Sequence, residues 1–397
     1  MATQVKLPQT LPSASLVLKS LPPLLSFFSG AGFLDLGLLR AGFQICWSLE
    51  ADPKICEAHN YGMASYFEKE KLLSRPPLLK AAESIVHKGP RAILREATGF
   101  SGRGEKFGIV GGPPCPDFSV GGKNLGEKGQ RGQLTRTFIE RICELEPVFF
   151  LIENVKGLVS TQRHREFLNS ELWKLEEKGY AVDLTILNAL DLGIPQSRER
   201  LFVVGVKRGA IKSLYGRQMK KGERSWFPWP VDARFEGAKK KFSWPDKTPF
   251  GATPKKPEGI PEQLFVGTLL SDPEKTEALP NGAESFEPYS KKFRTIWEGD
   301  DSRKSFKRLH RYRYSPTAAY GNNEVHLHPT LPRRLTVREA LRIQTVPDSF
   351  ALPPDLTLSK KFKIVGNGVP VELARNVGLA LARFLGGECV MKCGSIQ

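Results

Sequence analysis

Paired cysteines, long apolar runs and a balance of acid against base are all missing from this chain. Its six cysteines, Cys46, Cys56, Cys115, Cys143, Cys389 and Cys393, show no CxxC spacing. That argues against a disulfide framework and a zinc ribbon, and suits reduced thiols in a cytoplasm. Cys389 and Cys393 lie close together without a neighbouring histidine, so no metal site is expected there. No segment reaches the roughly 18 apolar residues of a membrane span. Lys19 and Pro22-Pro23 interrupt the apolar stretch 11–28, which speaks against a signal peptide, and residues 1–23 are read as a loose N-terminal arm. Acids are scarce: 42 Asp and Glu stand against 59 Lys and Arg, a net charge of +17. Such an excess favours a polyanionic partner, and nucleic acid over membrane because no basic amphipathic helix stands out.

The 397 residues, 40% of them apolar, leave room for one large core and a second, smaller body. Leu24 to Phe28 is a continuous apolar strand, and Ser29-Gly30-Ala31-Gly32 turns it into a helix starting near Leu34. A second strand near Ile45 to Leu49 ends in Glu50, about 20 residues after Gly30, where a Rossmann-type site places the acid for ribose hydroxyls. The nicotinamide fingerprint would need glycine at position 35, where the chain has Asp35. The site therefore suits an adenosine-bearing cofactor other than NAD. A helix is expected over Pro53 to Tyr61, and a third strand ending at Ala81 to Ile85. Phe107 to Val110 is a buried strand, followed by GGPPCPDFS at Gly111 to Ser119. Two glycines and two prolines there make a stiff turn with Cys115 at its tip. Helices are expected at Leu134 to Glu144 and Arg163 to Lys178, and strands at Val148 to Ile152, Val182 to Leu187 and Leu201 to Val206.

Strands alternating with helices over residues 24–206 predict an α/β fold with a doubly wound, mostly parallel sheet. Residues 207–334 differ in character. They are rich in Pro, Gly, Lys, Arg and aromatics, as in Trp226 to Pro230 and Phe306 to Tyr314 (FKRLHRYRY). This reads as a smaller irregular domain of short strands and long loops, basic enough to lie against nucleic acid. A connecting hinge region spans 335–360, with an amphipathic helix over Leu335 to Thr345. A strand-turn at Phe362 to Pro370 and a closing helix from Val371 to Leu385 make up the returning segment 361–397.

One thiol, one carboxylate, two arginines and an adenosine-cofactor turn form the set that methyl transfer to C5 of cytosine requires. That carbon is a weak nucleophile until a thiolate adds to C6. Six ordered blocks then resemble the DNA (cytosine-5)-methyltransferases of bacterial restriction–modification systems: FFSGAG at Phe27, GGPPCPDFS at Gly111, ENVKGL at Glu153, IPQSRERLFVVG at Ile194, RRLTVREALRIQTVPDSF at Arg333, and IVGNGVP at Ile364. The resemblance implies an S-adenosylmethionine-dependent, Rossmann-like catalytic domain beside a target-recognition domain, acting on a cytosine flipped out of double-stranded DNA. It implies Cys115 as nucleophile, Glu153 as partner of N3 and the exocyclic amine, and Arg200 on O2 with Arg198 in support. The cofactor would lie against Phe28, Gly30, Gly32, Glu50, Pro114, Leu134, Asn367 and Val369. Ser119, Arg131 and Thr317 match positions that hold phosphates beside the flipped base. A monomer in the cytoplasm, associated with the nucleoid and paired functionally with a separate endonuclease, is the corresponding expectation. The same chemistry on transfer RNA is the rival, disfavoured by the length of the 207–334 segment. Four departures stand out: Phe33 where glycine is common, Pro116-Asp117 after the cysteine, Gly368 where serine is common, and Glu83 as an uncertain match to an aspartate near the adenine.

Overall fold

The computed structural model describes residues 21–72, 79, 82–97, 106–114, 130–303, 305–321 and 324–388, with only the backbone of 130–132. The first half runs β1 (Leu24–Phe27), α1 (Phe33–Arg40), β2 (Ile45–Leu49), α2 (Pro53–Lys69), α3 (Pro90–Glu96) and β3 (Gly108–Gly111). It continues through α4 (Gln130–Leu145), β4 (Phe149–Val155), α5 (Gln162–Glu177), β5 (Tyr180–Asn188) and β6 (Glu199–Lys207). Later helices are α6 (Arg208–Tyr215), α7 (Ala238–Lys241), α8 (Pro273–Glu277), α9 (Val337–Ile343), α10 (Leu358–Asn367) and α11 (Val371–Gly386).

The six strands form one sheet in the order β2-β1-β3-β4-β6-β5. β1 pairs in parallel with β2 and β3, and β3 with β4, whereas β6 runs antiparallel to both β4 and β5. β1, β3 and the first four residues of β4 are buried throughout, as unbroken apolar runs require when both faces are covered. Alternate side chains feed two cores. Leu25, Phe27, Ile109, Phe150 and Ile152 pack with Phe138 and Ile142 of α4 and Leu168 and Leu172 of α5. Leu24, Val110, Phe149 and Leu151 pack on the other face with Leu34 and Leu38 of α1 and Val377 and Leu381 of α11. The sheet is thus doubly wound and mostly parallel, and the C-terminal helix lies on α1.

Four local expectations are corrected. Residues 82–85 contain no strand; the Glu83 amide donates to Glu50 O at 2.8 Å at the sheet's end, and Ile85 joins the core with Trp47 and Leu49. Phe362 to Asn367 belongs to α10 instead of a strand-turn: Thr357 caps the helix by accepting from the Lys360 amide, and Lys361, Phe362 and Val365 recur at helical spacing on its buried side. α9 is shorter than the expected amphipathic helix, and almost every residue in it is buried, Arg338 and Glu339 included. Its start is fixed by a capping box between Thr336 and Glu339. In the basic segment the described residues form only isolated bridges and short helical turns, with no strand ladder. Its first part still packs on the large core, the Trp226 and Phe227 rings lying 5.4 and 5.5 Å from that of Phe384.

Buried guanidinium groups organise these loops. Arg308, 1% exposed, donates to the carbonyls of Phe293, Ile296, His328 and Leu331. Arg338, fully buried, donates to Pro280 O at 2.9 Å, Pro347 O at 3.2 Å and Phe350 O at 2.7 Å. Loop carbonyls without a ladder need some donor when buried, and a five-donor fork satisfies several at once. Arg338→Met would leave three carbonyls unanswered, at roughly 1–3 kcal/mol each before relaxation. Urea unfolding should show a loss of at least about 3 kcal/mol.

Candidate active site

The carboxyl ends of β1, β2, β3 and β4 share one edge, the place where an open α/β sheet puts its ligands. Because β6 is reversed, its first residues reach that same edge. Val155 of β4 faces Arg200 and Glu153 faces Phe202, so Glu153 and Arg200 are diagonal neighbours on one face. Arg200 Nε donates to Glu153 Oε1 at 2.9 Å, with the two side chains 11% and 16% exposed. Burial raises the Glu153 carboxyl above its ordinary value, and the positive charges of Arg200 and Arg198 oppose that rise. Glu153 sits inside β4, since the strand continues to Val155.

The loop after β3 passes directly over this pair. A Cβ on Gly112 would lie 2.9 Å from Glu153 Oε2, and Asn154 Nδ2 donates to Pro113 O at 3.3 Å. Pro114 is the last described residue of this loop. Cys115 and Ser119 lie outside the described residues, as does the side chain of Arg131 on α4.

The turn after β1, where the sequence reading places an adenosine cofactor, has an unusual backbone. Phe28, Gly30 and Gly32 all have positive φ, at 52°, 58° and 89°. For a phenylalanine that is a strained conformation, of the kind concentrated at functional sites. A Cβ on Gly30 would meet nothing nearer than Phe28 O at 4.0 Å, so a ligand can approach this backbone. Glu50 Oε2 accepts from the Gly30 amide at 3.0 Å, while Oε1 accepts from the amides of Ala51 and Asp52. No side chain caps α1, leaving its positive end to the site. The Phe28 ring meets Phe138 edge-on, and Leu134 is half-buried on the same core. From the far end of the chain, Val369 is buried and Asn367 exposed where α10 stops. Glu83, uncertain from sequence, pairs with Lys88 at 2.5 Å beside Glu50's strand end.

Arg198 stands behind Arg200. It is fully buried, donating from Nη1 to Ala318 O at 3.0 Å and from Nη2 to Gly366 O at 2.8 Å and Gly368 O at 2.7 Å. Thr317 Oγ1 donates to Ser197 O at 2.7 Å, which brings the basic segment onto the same corner. Two residues that sequence reading left without a role support the ligand edge, one at this corner and one under the glycine turn. Gln196, fully buried, donates to Ile343 O and Gln344 Oε1 and accepts from the Ala318 amide. Asp35 accepts from Ser26 Oγ at 2.6 Å and lies 3.4 Å from His59 Nε2, beneath the glycine turn. Their signal was a polar residue inside an apolar or motif-bound stretch, which must find partners once buried.

A doubly wound sheet that gathers its polar side chains on one edge in this way belongs to the Rossmann-like class. Residues 103–383 match the family of C-5 cytosine-specific DNA methylases. The Type II methyltransferase M.NmeDI of Neisseria meningitidis serogroup C is 40% identical over 366 residues, covering 91% of this chain and 83% of that protein. The Type II methyltransferase M.FnuDI of Fusobacterium nucleatum is 32% identical over 371 residues, covering 88% of this chain and 91% of that one. Among solved structures, the S. pombe Dnmt2 methyltransferase shares the fold with a TM-score of 0.57 at 14% identity, across 91% of this chain and 98% of that one. The chain belongs to the C-5 cytosine-specific DNA methylase family and is a DNA (cytosine-5)-methyltransferase.

Burial and the two arginines pull Glu153 in opposite directions, and burial prevails. In side-chain 13C NMR, Glu153 should therefore titrate above an ordinary glutamate, and higher still in Arg200→Ala. An unchanged or lower midpoint in Arg200→Ala would contradict the pairing.

Proposed function

We propose that this enzyme methylates C5 of a cytosine flipped out of a specific double-stranded DNA sequence, by way of a covalent bond between Cys115 and C6. In this reading S-adenosylmethionine, when bound, supplies the methyl group from its sulfonium centre. The glycine turn, Phe28 and Glu50 hold it on one side, Pro114 and Leu134 border it, and Asn367 and Val369 close it from the C-terminal segment. The Cys115 thiolate adds to C6, and the displaced ring electrons make C5 nucleophilic. Glu153, inclined to keep a proton, donates it toward N3 and offsets charge on the ring. Arg200 stabilises O2 while holding Glu153. After transfer a water molecule takes the C5 proton, the C5–H electrons re-form the C5=C6 double bond as the C6–S bond breaks and releases the thiolate, and N3 returns its proton to Glu153. Arg198 acts by fixing the corner on which Arg200 stands. Ser119, Arg131 and Thr317 would hold phosphates beside the everted nucleotide. The likeness to Type II methyltransferases supports a further step: the modification protects host DNA from a partner endonuclease.

The observation that carries the reading is the buried Arg200–Glu153 pair lying under the loop that leads to Cys115. Duplex DNA containing 5-fluorocytosine, with cofactor present, should trap a denaturation-resistant adduct that Cys115→Ser cannot form. Methyl incorporation measured side by side should favour DNA over transfer RNA. An adduct persisting in Cys115→Ser, or activity on transfer RNA alone, would overturn the assignment.

A further inference from the structure

Two aromatic rings, each seated against a glycine, join the parts of the chain assigned to the cofactor. Phe33 follows Gly32 directly and is 3% exposed. A Cβ on Gly368 would lie 2.2 Å from Phe33 Cδ2 and 2.8 Å from Cε2, so no side chain fits there while the ring keeps its place. On its other side Phe33 meets Phe350 edge-on, with centroids 5.7 Å apart and planes at 78°. Phe350 in turn fills the space of a side chain at Gly62, where a Cβ would come within 1.9 Å of Cζ. The series Gly62, Phe350, Phe33, Gly368 thus crosses α2, the connecting region, the start of α1 and the turn after α10.

Phe33 and Gly368 are also the two departures noted beside the cofactor turns, and they fit each other. A serine at 368 would strike the ring, and a small residue at 33 would leave a ring-sized void against Gly368. The turn at 368 cannot simply retreat, because its carbonyl is held by Arg198 Nη2 at 2.7 Å and by Gln344 Nε2 at 3.2 Å. Added bulk would therefore push on the start of α1 and the glycine turn before it. In a close-packed site such a displacement is transmitted instead of absorbed.

We propose that Phe33 is a positioning residue whose ring, wedged between Gly368 and Phe350, sets the spacing of the Ser29–Gly32 and Asn367–Val369 turns and so the affinity for the methyl donor. The proposal rests on the assignment of those turns to S-adenosylmethionine. The spacing is a property of the pair, so bulk moved from one position to the other should be tolerated better than bulk added at one alone.

The test is calorimetric binding of S-adenosylmethionine to the full-length enzyme and to Phe33→Ala, Gly368→Ser and the double variant, with melting curves and steady-state kinetics. Gly368→Ser should weaken cofactor binding at least about tenfold, and Phe33→Ala by a smaller factor. The double variant should bind more tightly than Gly368→Ser, with KM for DNA within about twofold throughout. If Gly368→Ser fails to fold, a folded double variant supports the interlock and an unfolded one overturns it. Wild-type binding by Gly368→Ser, or a double variant no better than it, also overturns the interlock. Glu50→Ala in the same series separates the two ideas: undiminished binding there overturns the cofactor assignment itself.

Discussion

The guanidinium of Arg198 gathers three carbonyl oxygens from two distant segments in a site closed to water. Removing such a group from water costs several kcal/mol, and only good hydrogen bonds and nearby negative charge offset it. Burial works against its charge, as does neighbouring Arg200, while Glu153 favours it. One carboxylate therefore answers two buried arginines, and its own burial pulls it toward the protonated form. The Glu153 carboxyl at the sheet edge and the guanidinium that secures the scaffold share one electrostatic balance. That sharing ties the C-terminal segment, the loop at Ala318 and the ligand edge of the sheet to one corner.

The reversed strand β6 explains an oddity of the motif order. In a purely parallel sheet, side chains for the ligand edge follow their strand, as Glu50 follows β2 and the GGPP loop follows β3. Arg198 and Arg200 instead come at the start of theirs, and only antiparallel pairing with β4 brings them to Glu153. Nothing in the local composition of QSRERLFVVG reports its direction. The resemblance to a family supplied the association, and the register supplies its cause.

The doubly wound sheet was legible because its strands are unbroken apolar runs and α4, α5 and α11 carry clear helical periods. FKIV at Phe362 to Val365 misled, since an apolar tetrapeptide satisfies strand and helix alike until the Thr357 cap is noticed. α9 misled differently. Its two arginines and its glutamate imply a solvent face, yet Arg338 donates to three carbonyls and Glu339 accepts from Arg333 and the Thr336 amide. The basic segment resisted reading because its order comes from side-chain hubs instead of ladders. Arg334, for instance, is ringed by Phe286, Tyr289, Phe293 and Phe306 at 5.0 to 5.6 Å. No periodicity encodes a box of that kind.

The seam between the basic segment and the ligand edge includes a main-chain splice beside its side-chain bonds: Ser197 N donates to Ser315 O, and Ser315 N to Pro195 O, each at 2.9 Å. A splice of that sort is blind to most of what lies upstream of it. Side chains at Pro195, Ser197 and Ser315 can therefore change while those two hydrogen bonds keep the segment registered on the sheet edge.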